Sequence, residues 1–177
     1  MRIISGIHKG RKIIPPKNIS ARPTTDKSKE ALFNILNNLY EWSKISVLDL
    51  FSGTGSISYE FASRGVKSII SVDQDKKSVD FISKTSVEND FNIITFKSSV
   101  SFFLKKNTSK FNIIFLDPPY SYEISDYQII ILKLLEINLS QKGIVIVEHS
   151  SKLKLDIING FIERRKYGSN SFSFFKK

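Results

Sequence analysis

No cysteine occurs anywhere in the 177-residue sequence, which excludes a disulfide framework, thiolate metal sites and thiol catalysis together. Histidine is nearly as scarce: His8 and His149 stand alone and leave little for a zinc site. No apolar run approaches the roughly 20 residues that span a bilayer, and the start MRIISGIHKGRK has no continuous apolar segment of the kind a secretory signal carries. Repeats, low-complexity segments and flexible linkers are also missing. These absences lead us to expect a soluble intracellular protein with one core, for which a hydrophobic content of 41% is sufficient.

Positive charge is abundant, and it is unevenly placed. Residues 1–29 carry eight Lys or Arg against Asp26 alone, and residues 151–177 carry seven against Asp156 and Glu163. The stretch between holds twelve basic and fourteen acidic residues. Lys and Arg gain affinity for phosphates by releasing condensed counterions, so two basic ends around a near-neutral middle fit a polyanion-binding surface built around a small-molecule site. Solvated lysines with no partner are the plain alternative.

The order of patterns predicts an α/β fold. Apolar-rich runs at 2–7 and 11–14 flank His8, Lys9 and Gly10 and read as a basic hairpin. Thr24, Thr25 and Asp26 then form a helix start, with a hydroxyl to cap free amides and an acid at the positive helix end. Ala31, Leu32, Ile35, Leu36 and Leu39 follow at helical spacing. Strand-like runs next alternate with helical patterns: 47–51 and 55–64, 68–73 and 76–89, 93–96 and 100–106, 111–117 and 125–138, then 143–148. Such βαβ alternation implies a parallel sheet covered by helices. The tail, 161–167 and 171–175 around Gly168, Ser169 and Asn170, reads as a closing antiparallel hairpin. The expected organisation is an N-terminal hairpin and helix extension over residues 1–40 and a core over residues 41–177.

Two strand ends carry the chemistry. Val47 to Phe51 runs into Ser52, Gly53, Thr54 and Gly55 and then a helix. Two glycines two apart let the backbone turn tightly beside a ligand, and a helix N-terminus presents amides to an anion. A dinucleotide fingerprint wants a third glycine where Ser58 stands; the anion can instead be the carboxylate of S-adenosylmethionine, with Asp49 offsetting its ammonium. Asp73, twenty residues after Gly53, closes the second strand where a carboxylate accepts ribose hydroxyls, a geometry common to NAD and S-adenosylmethionine sites. The run Ile113 to Leu116 ends in Asp117, Pro118, Pro119 and Tyr120. This tetrapeptide resembles the DPPY signature of S-adenosylmethionine-dependent amino-methyltransferases. An acid locked by prolines and followed by an aromatic suits a flat base whose exocyclic amino group needs acceptors beside it and a ring above it.

GxxxGRK at 6–12, Arg22 to Asp26 with Glu30 and Leu32 to Asn34, DLFSGTG and FLDPPY together resemble the RsmD family of small-subunit ribosomal RNA guanine-N2 methyltransferases, over almost the whole chain. The resemblance implies a class I methyltransferase fold, Rossmann-like, with a mostly parallel seven-stranded sheet ending in an antiparallel hairpin. It implies methylation of one guanine 2-amino group in small-subunit RNA, naked or within an assembly intermediate, by a cytoplasmic enzyme; a monomer is the default expectation, and an already activated sulfonium requires no metal. Carried over by position, Asp117, Pro118 and Tyr120 hold the base. Asp49, Phe51, Gly53, Gly55, Asp73, Gln74 and Ser99 hold the cofactor. Lys9, Arg11, Lys12, Arg22 and Thr24 meet the RNA, and Arg22, Thr24 and Asp26 help close the site. Ser98 and Ser99 depart from the Asp or Asn that many such enzymes place beside the adenine, and serine reaches less far. His8 and His149 read as an ordinary surface residue and a structural one. Phe103, Phe172, Phe174 and Phe175, with Phe102, read mostly as core. Two alternatives stand beside this reading: a DNA adenine or cytosine amino-methyltransferase, and a basic RNA-binding assembly protein on a methyltransferase fold.

Overall fold

The computed structural model describes residues 1–19 and 24–177; Arg22 lies outside them. The elements, in order, are α1 (Asp26–Asn37), β1 (Ser46–Leu50), α2 (Ser56–Ser63), β2 (Ser68–Asp73), α3 (Lys76–Glu88), β3 (Ile93–Lys97), α4 (Val100–Lys106), β4 (Phe111–Leu116), α5 (Ile124–Lys133), β5 (Leu139–Ser150), β6 (Phe161–Tyr167) and β7 (Asn170–Phe175). Seven strands form a sheet in the order β3-β2-β1-β4-β5-β7-β6. The chain divides into two compact units, Met1–Val100 and Ser101–Lys177.

In the first unit β1, β2 and β3 pair in parallel. Val47, Leu48, Leu50 and Val72 are fully buried, as a central parallel strand covered on both sides requires. β3 is the edge of the order, and Ile94 and Phe96 there are half exposed. α1 begins at Thr25, whose hydroxyl accepts the Ser28 amide at 3.2 Å. Its buried stripe is Ser28, Lys29, Leu32, Phe33 and Leu36; Leu39, expected inside, is exposed past the helix end. Phe33 replaces it because its ring packs edge-on to Phe61, centroids 4.7 Å apart, under the Arg64 guanidinium.

The expected N-terminal hairpin shrinks to one antiparallel bridge, Arg2 to Lys12. The arms still bond to each other, Ile3 to Arg11 at 3.0 Å and Ile13 to Met1 at 3.0 Å, but residues 5–10 wind into turns and Ser5, Ile7 and His8 bond to α2. The Ile7 amide donates to the Ser63 carbonyl at 2.8 Å and the Ser63 hydroxyl to the Ser5 carbonyl at 2.7 Å. Gly6 sits so close, at φ +90°, that a Cβ would fall 1.9 Å from the Ser63 carbonyl oxygen. Beneath it Lys29 and Glu60, 1% and 0% exposed at the side chain, pair at 3.4 Å. Lys29 also donates to the Arg2 carbonyl, and Glu60 accepts the Ile4 amide at 2.6 Å and an Arg64 nitrogen. Breaking one side of such a buried pair costs about 3–5 kcal/mol.

In the second unit β4 and β5 are parallel, while β5 with β7 and β7 with β6 are antiparallel. This is the expected closing hairpin. β5 is longer than its apolar run, and the helix expected over 125–138 ends at Lys133 and finishes as a π-turn, Leu134–Asn138. Phe103, Phe172, Phe174 and Phe175 are buried, whereas Phe102 is exposed with the Lys106 ammonium 4.6 Å over its ring. Among the described residues no helix is long and apolar enough to cross a membrane.

Candidate functional site

β1 ends in a loop whose backbone bends three times through the left-handed region: Phe51 at φ 60°, Gly53 at 52° and Gly55 at 78°. Phe51 pays steric strain there that glycine would not. The loop is held by its amides. Ser52 donates to the Val72 carbonyl at 3.1 Å, Gly53 to an Asp73 carboxylate oxygen at 2.8 Å, and Gly55 to the Ser52 carbonyl at 2.7 Å. A Cβ on Gly55 would meet Tyr59 and Ile82 carbons at 2.8 and 2.9 Å, so both conformation and space require glycine.

Asp73 organises two loops at once. One oxygen takes the Gly53 amide; the other takes the Asp75 amide at 2.8 Å, just before α3, where Asp75 caps the helix through the Lys77 amide. Each carboxylate oxygen has a second acceptor direction, so the group retains capacity for two hydroxyls. The Asp73 carbonyl accepts the Ser98 amide at 2.9 Å, which brings the end of β3 to the end of β2. Gln74 and Ser99 lie exposed on this edge, and the Ser99 carbonyl accepts the Ser98 hydroxyl at 2.9 Å.

Asp49 has a different setting from the other strand-end acids. It is 2% exposed and accepts the Ser58 hydroxyl at 2.6 Å, while Ser58 lies 2.6 Å from the Ser71 hydroxyl. With Ser58 donating to the acid, Ser71 donates to Ser58, giving a relay from β2 through α2 to β1. Burial pushes the Asp49 carboxyl up to about 7; the Ser58 hydrogen bond opposes this and the nearby Asp73 charge adds to it. In the sequence Ser58 stands out only as a missing glycine. The available signal was a serine in the first turn of a helix packed on a strand that carries an acid.

In the second unit β4 ends at Leu116, and Asp117 falls just beyond it, half-buried. Pro118 is buried, Pro119 is exposed, and its carbonyl accepts the Tyr122 amide at 3.0 Å to close a turn. Tyr120 is 65% exposed. Behind the turn the Tyr122 and Tyr127 rings meet edge-on at 6.1 Å, and Tyr127 meets His149 at 6.4 Å. His149 is buried, its Nδ1 2.8 Å from the Ser150 carbonyl and its Nε2 2.7 Å from the Ser173 hydroxyl. A carbonyl only accepts, so Nδ1 carries the proton and Nε2 accepts from Ser173. Burial lowers its pKa, the Ser150 carbonyl opposes, and Arg164 lowers it further. Structural satisfaction accounts for this histidine.

Of the residues expected to meet RNA, Lys9, Arg11 and Lys12 are exposed on the N-terminal segment, where Arg11 also reaches Asn89. Thr24 is buried, and Asp26 pairs with Arg2 at 3.3 Å. His8 packs against the Phe91 ring, centroids 4.7 Å apart.

A family described as "Conserved hypothetical protein 95" matches residues 1–176. The chain is similar to a putative rRNA methyltransferase, YlbH, of Bacillus subtilis, with 31% identity over 193 residues covering 100% of this chain and 99% of that protein. It is similar to ribosomal RNA small subunit methyltransferase D of Escherichia coli, with 31% identity over 151 residues covering 84% and 74%. Among solved structures, a putative methyltransferase of Escherichia coli, yhhF, superposes with a TM-score of 0.84 at 24% identity, covering 100% and 97%; this likeness is one of fold.

Proposed function

Since the chain belongs to the conserved hypothetical protein 95 family, the RsmD family, we propose that it is a small-subunit ribosomal RNA methyltransferase that modifies the 2-amino group of a guanine and takes its methyl from S-adenosylmethionine. The observation that carries the reading is the end of β4: a half-buried Asp117 beside a buried Pro118, with the Tyr120 ring exposed three residues on. An exocyclic amino nitrogen is a poor nucleophile because its lone pair is delocalised into the ring. Asp117 and the Pro118 carbonyl accept its two protons, biasing the nitrogen toward tetrahedral geometry, and Tyr120 stacks on the base. As positive charge develops on nitrogen the Asp117 carboxylate stabilises it and takes the departing proton.

The donor set of the first unit fits the cofactor. Asp73 has spare acceptor directions for the ribose hydroxyls, and the Phe51–Gly55 loop leads into the N-terminus of α2 for the carboxylate. Asp49 answers the ammonium by ionising fully beside a cation, which reverses the upward shift its burial imposes. S-adenosylmethionine supplies, when bound, a sulfonium methyl that needs no further activation, so alignment is the protein's main task. Phe51, Gln74 and Ser99 complete the cofactor's surroundings in this reading. The target base comes from a loop or is flipped from its stack, because its edge is hidden in a helix. Lys9, Arg11 and Lys12 meet the RNA backbone, and Arg22 and Thr24 are assigned to the same RNA contact. The protein works as a monomer in the cytoplasm on RNA or an assembling subunit.

The test is transfer of labelled methyl to unmodified small-subunit RNA, free and protein-assembled, followed by digestion and nucleoside mass analysis. N2-methylguanosine is the expected product. Label on adenine or cytosine of that RNA would reject guanine as the target and keep the chemistry. No transfer together with no cofactor binding would favour the RNA-binding assembly protein.

A further inference from the structure

The second unit carries a basic rim on the same edge of the sheet as Asp117, drawn from the basic stretch 151–177, and none of its residues has a role in the function proposed above. Register fixes its position. Leu116 of β4 is level with Val147 of β5, Val147 with Ser173 of β7, and Ser173 with Arg164 of β6. Two residues farther toward the Asp117 edge, His149 is level with Ser171 and Ser171 with Lys166. Lys152 and Lys154 continue from the end of β5 at this edge, and the Arg164 guanidinium donates to the Leu153 carbonyl at 3.4 Å, which holds that connection against β6. Lys176 and Lys177 fall at the opposite end, beyond Phe175, which is level with Phe161.

The rim keeps its charge. Lys152, Lys154, Arg164 and Lys166 are exposed, and the three lysines have no ion-pair partner among the described residues. Of the two acids in 151–177, Glu163 is paired with Arg165 at 2.8 Å, leaving Asp156 as the opposing charge. Its β6 residues, Arg164 and Lys166, lie three strands from the strand that Asp117 follows, about 14 Å at the usual strand spacing, which a few nucleotides of extended backbone cover. Unpaired lysines held at that distance on one edge are placed for phosphates flanking a base, where each contact releases counterions.

We propose that Lys152, Lys154, Arg164 and Lys166 form a docking surface for the RNA backbone flanking the target nucleotide, separate from the N-terminal basic segment. The inference rests on the RNA substrate proposed above. It predicts that the full chain with K152A, K154A and K166A binds a small-subunit RNA transcript about tenfold more weakly, with a salt dependence flattened by about two in log–log slope for single-stranded contacts. The KM for RNA rises in parallel, while S-adenosylmethionine binds with wild-type affinity. A control with K67A, K77A and K84A removes the same charge from the first unit and keeps the wild-type slope. If the wild type methylates the transcript while the rim variant matches it in slope and KM, or loses no more than the control, the docking surface is wrong and the enzyme reading stands. A wild type that transfers no methyl to RNA removes the premise and the surface with it.

Discussion

Between Phe51 and Gly55 the backbone bends three times through the left-handed region, and Ser52, Gly53 and Gly55 each give their amide to a partner inside the chain. Between Asp117 and Tyr120 two of four residues are prolines with no amide to give, and the tyrosine ring stands 65% exposed. Both segments follow a buried parallel strand, yet one is a closed cradle and the other an open turn stiffened by proline. The contrast matches what each would hold. A small cofactor returns at every turnover and is met best by a prebuilt site that loses little entropy on binding. Under the function proposed above, a base on a large RNA would enter from outside, so its acceptors and stacking ring would have to stay accessible.

The sharpest way to break the contrast is Gly55→Ala. A methyl group at φ 78°, 2.8 Å from Tyr59, forces the cradle open, so calorimetry should find S-adenosylmethionine binding lost. Urea unfolding should show a cost of about 1–3 kcal/mol for overpacking. Asp117→Ala acts on the other side. Cofactor affinity should remain while kcat falls by roughly a thousandfold, because the lost acceptor serves mainly the transition state; single-turnover methyl transfer reads the two apart. Tyr120→Ala should raise the KM for RNA about tenfold, as one base stack is worth about 1–3 kcal/mol, and an exposed ring leaves unfolding within about 0.5 kcal/mol of wild type.

The smallest effect is a pH dependence inside the cradle. Asp49 keeps its proton in the fold up to about 7, against an ordinary value of 3.8. Between those limits the folded chain binds more protons than the unfolded one, so Asp49 makes stability fall as pH rises from about 4 to 7. Asp49→Asn should flatten that slope and raise Tm by a few degrees at pH 8, where the buried charge is fully present; thermal melts across pH would test it. Added S-adenosylmethionine should stabilise the wild type more than the variant above pH 7.

The succession of strands and helices, the glycine turn and the Asp117 turn are legible because apolar runs, glycine spacing and proline pairs report backbone geometry directly. What stayed hidden depends on partners distant in sequence. Ser58 bonds Asp49 across 9 residues, and no local pattern shows which helix face a serine occupies. The N-terminal segment reads as a hairpin from its apolar runs; its arms do bond to each other, Ile3 to Arg11 and Ile13 to Met1, but residues between them bond to Ser63, 55 to 58 residues away, and one bridge stands where two strands were expected. Leu39 matched the helical period, but the helix stops at Asn37 and Phe33 fills the core through its contact with Phe61. Burial of Lys29 and Glu60 was equally invisible, because each looks like a solvated helix charge until the other is placed beside it.

The contrast between a prebuilt cofactor cradle and an open acceptor turn is tested most directly by titrating S-adenosylmethionine calorimetrically into the RNA-free protein, wild type and Asp117→Ala side by side. The account predicts binding without RNA, with the same affinity in both. Binding that needs RNA, or that disappears with Asp117, would contradict it.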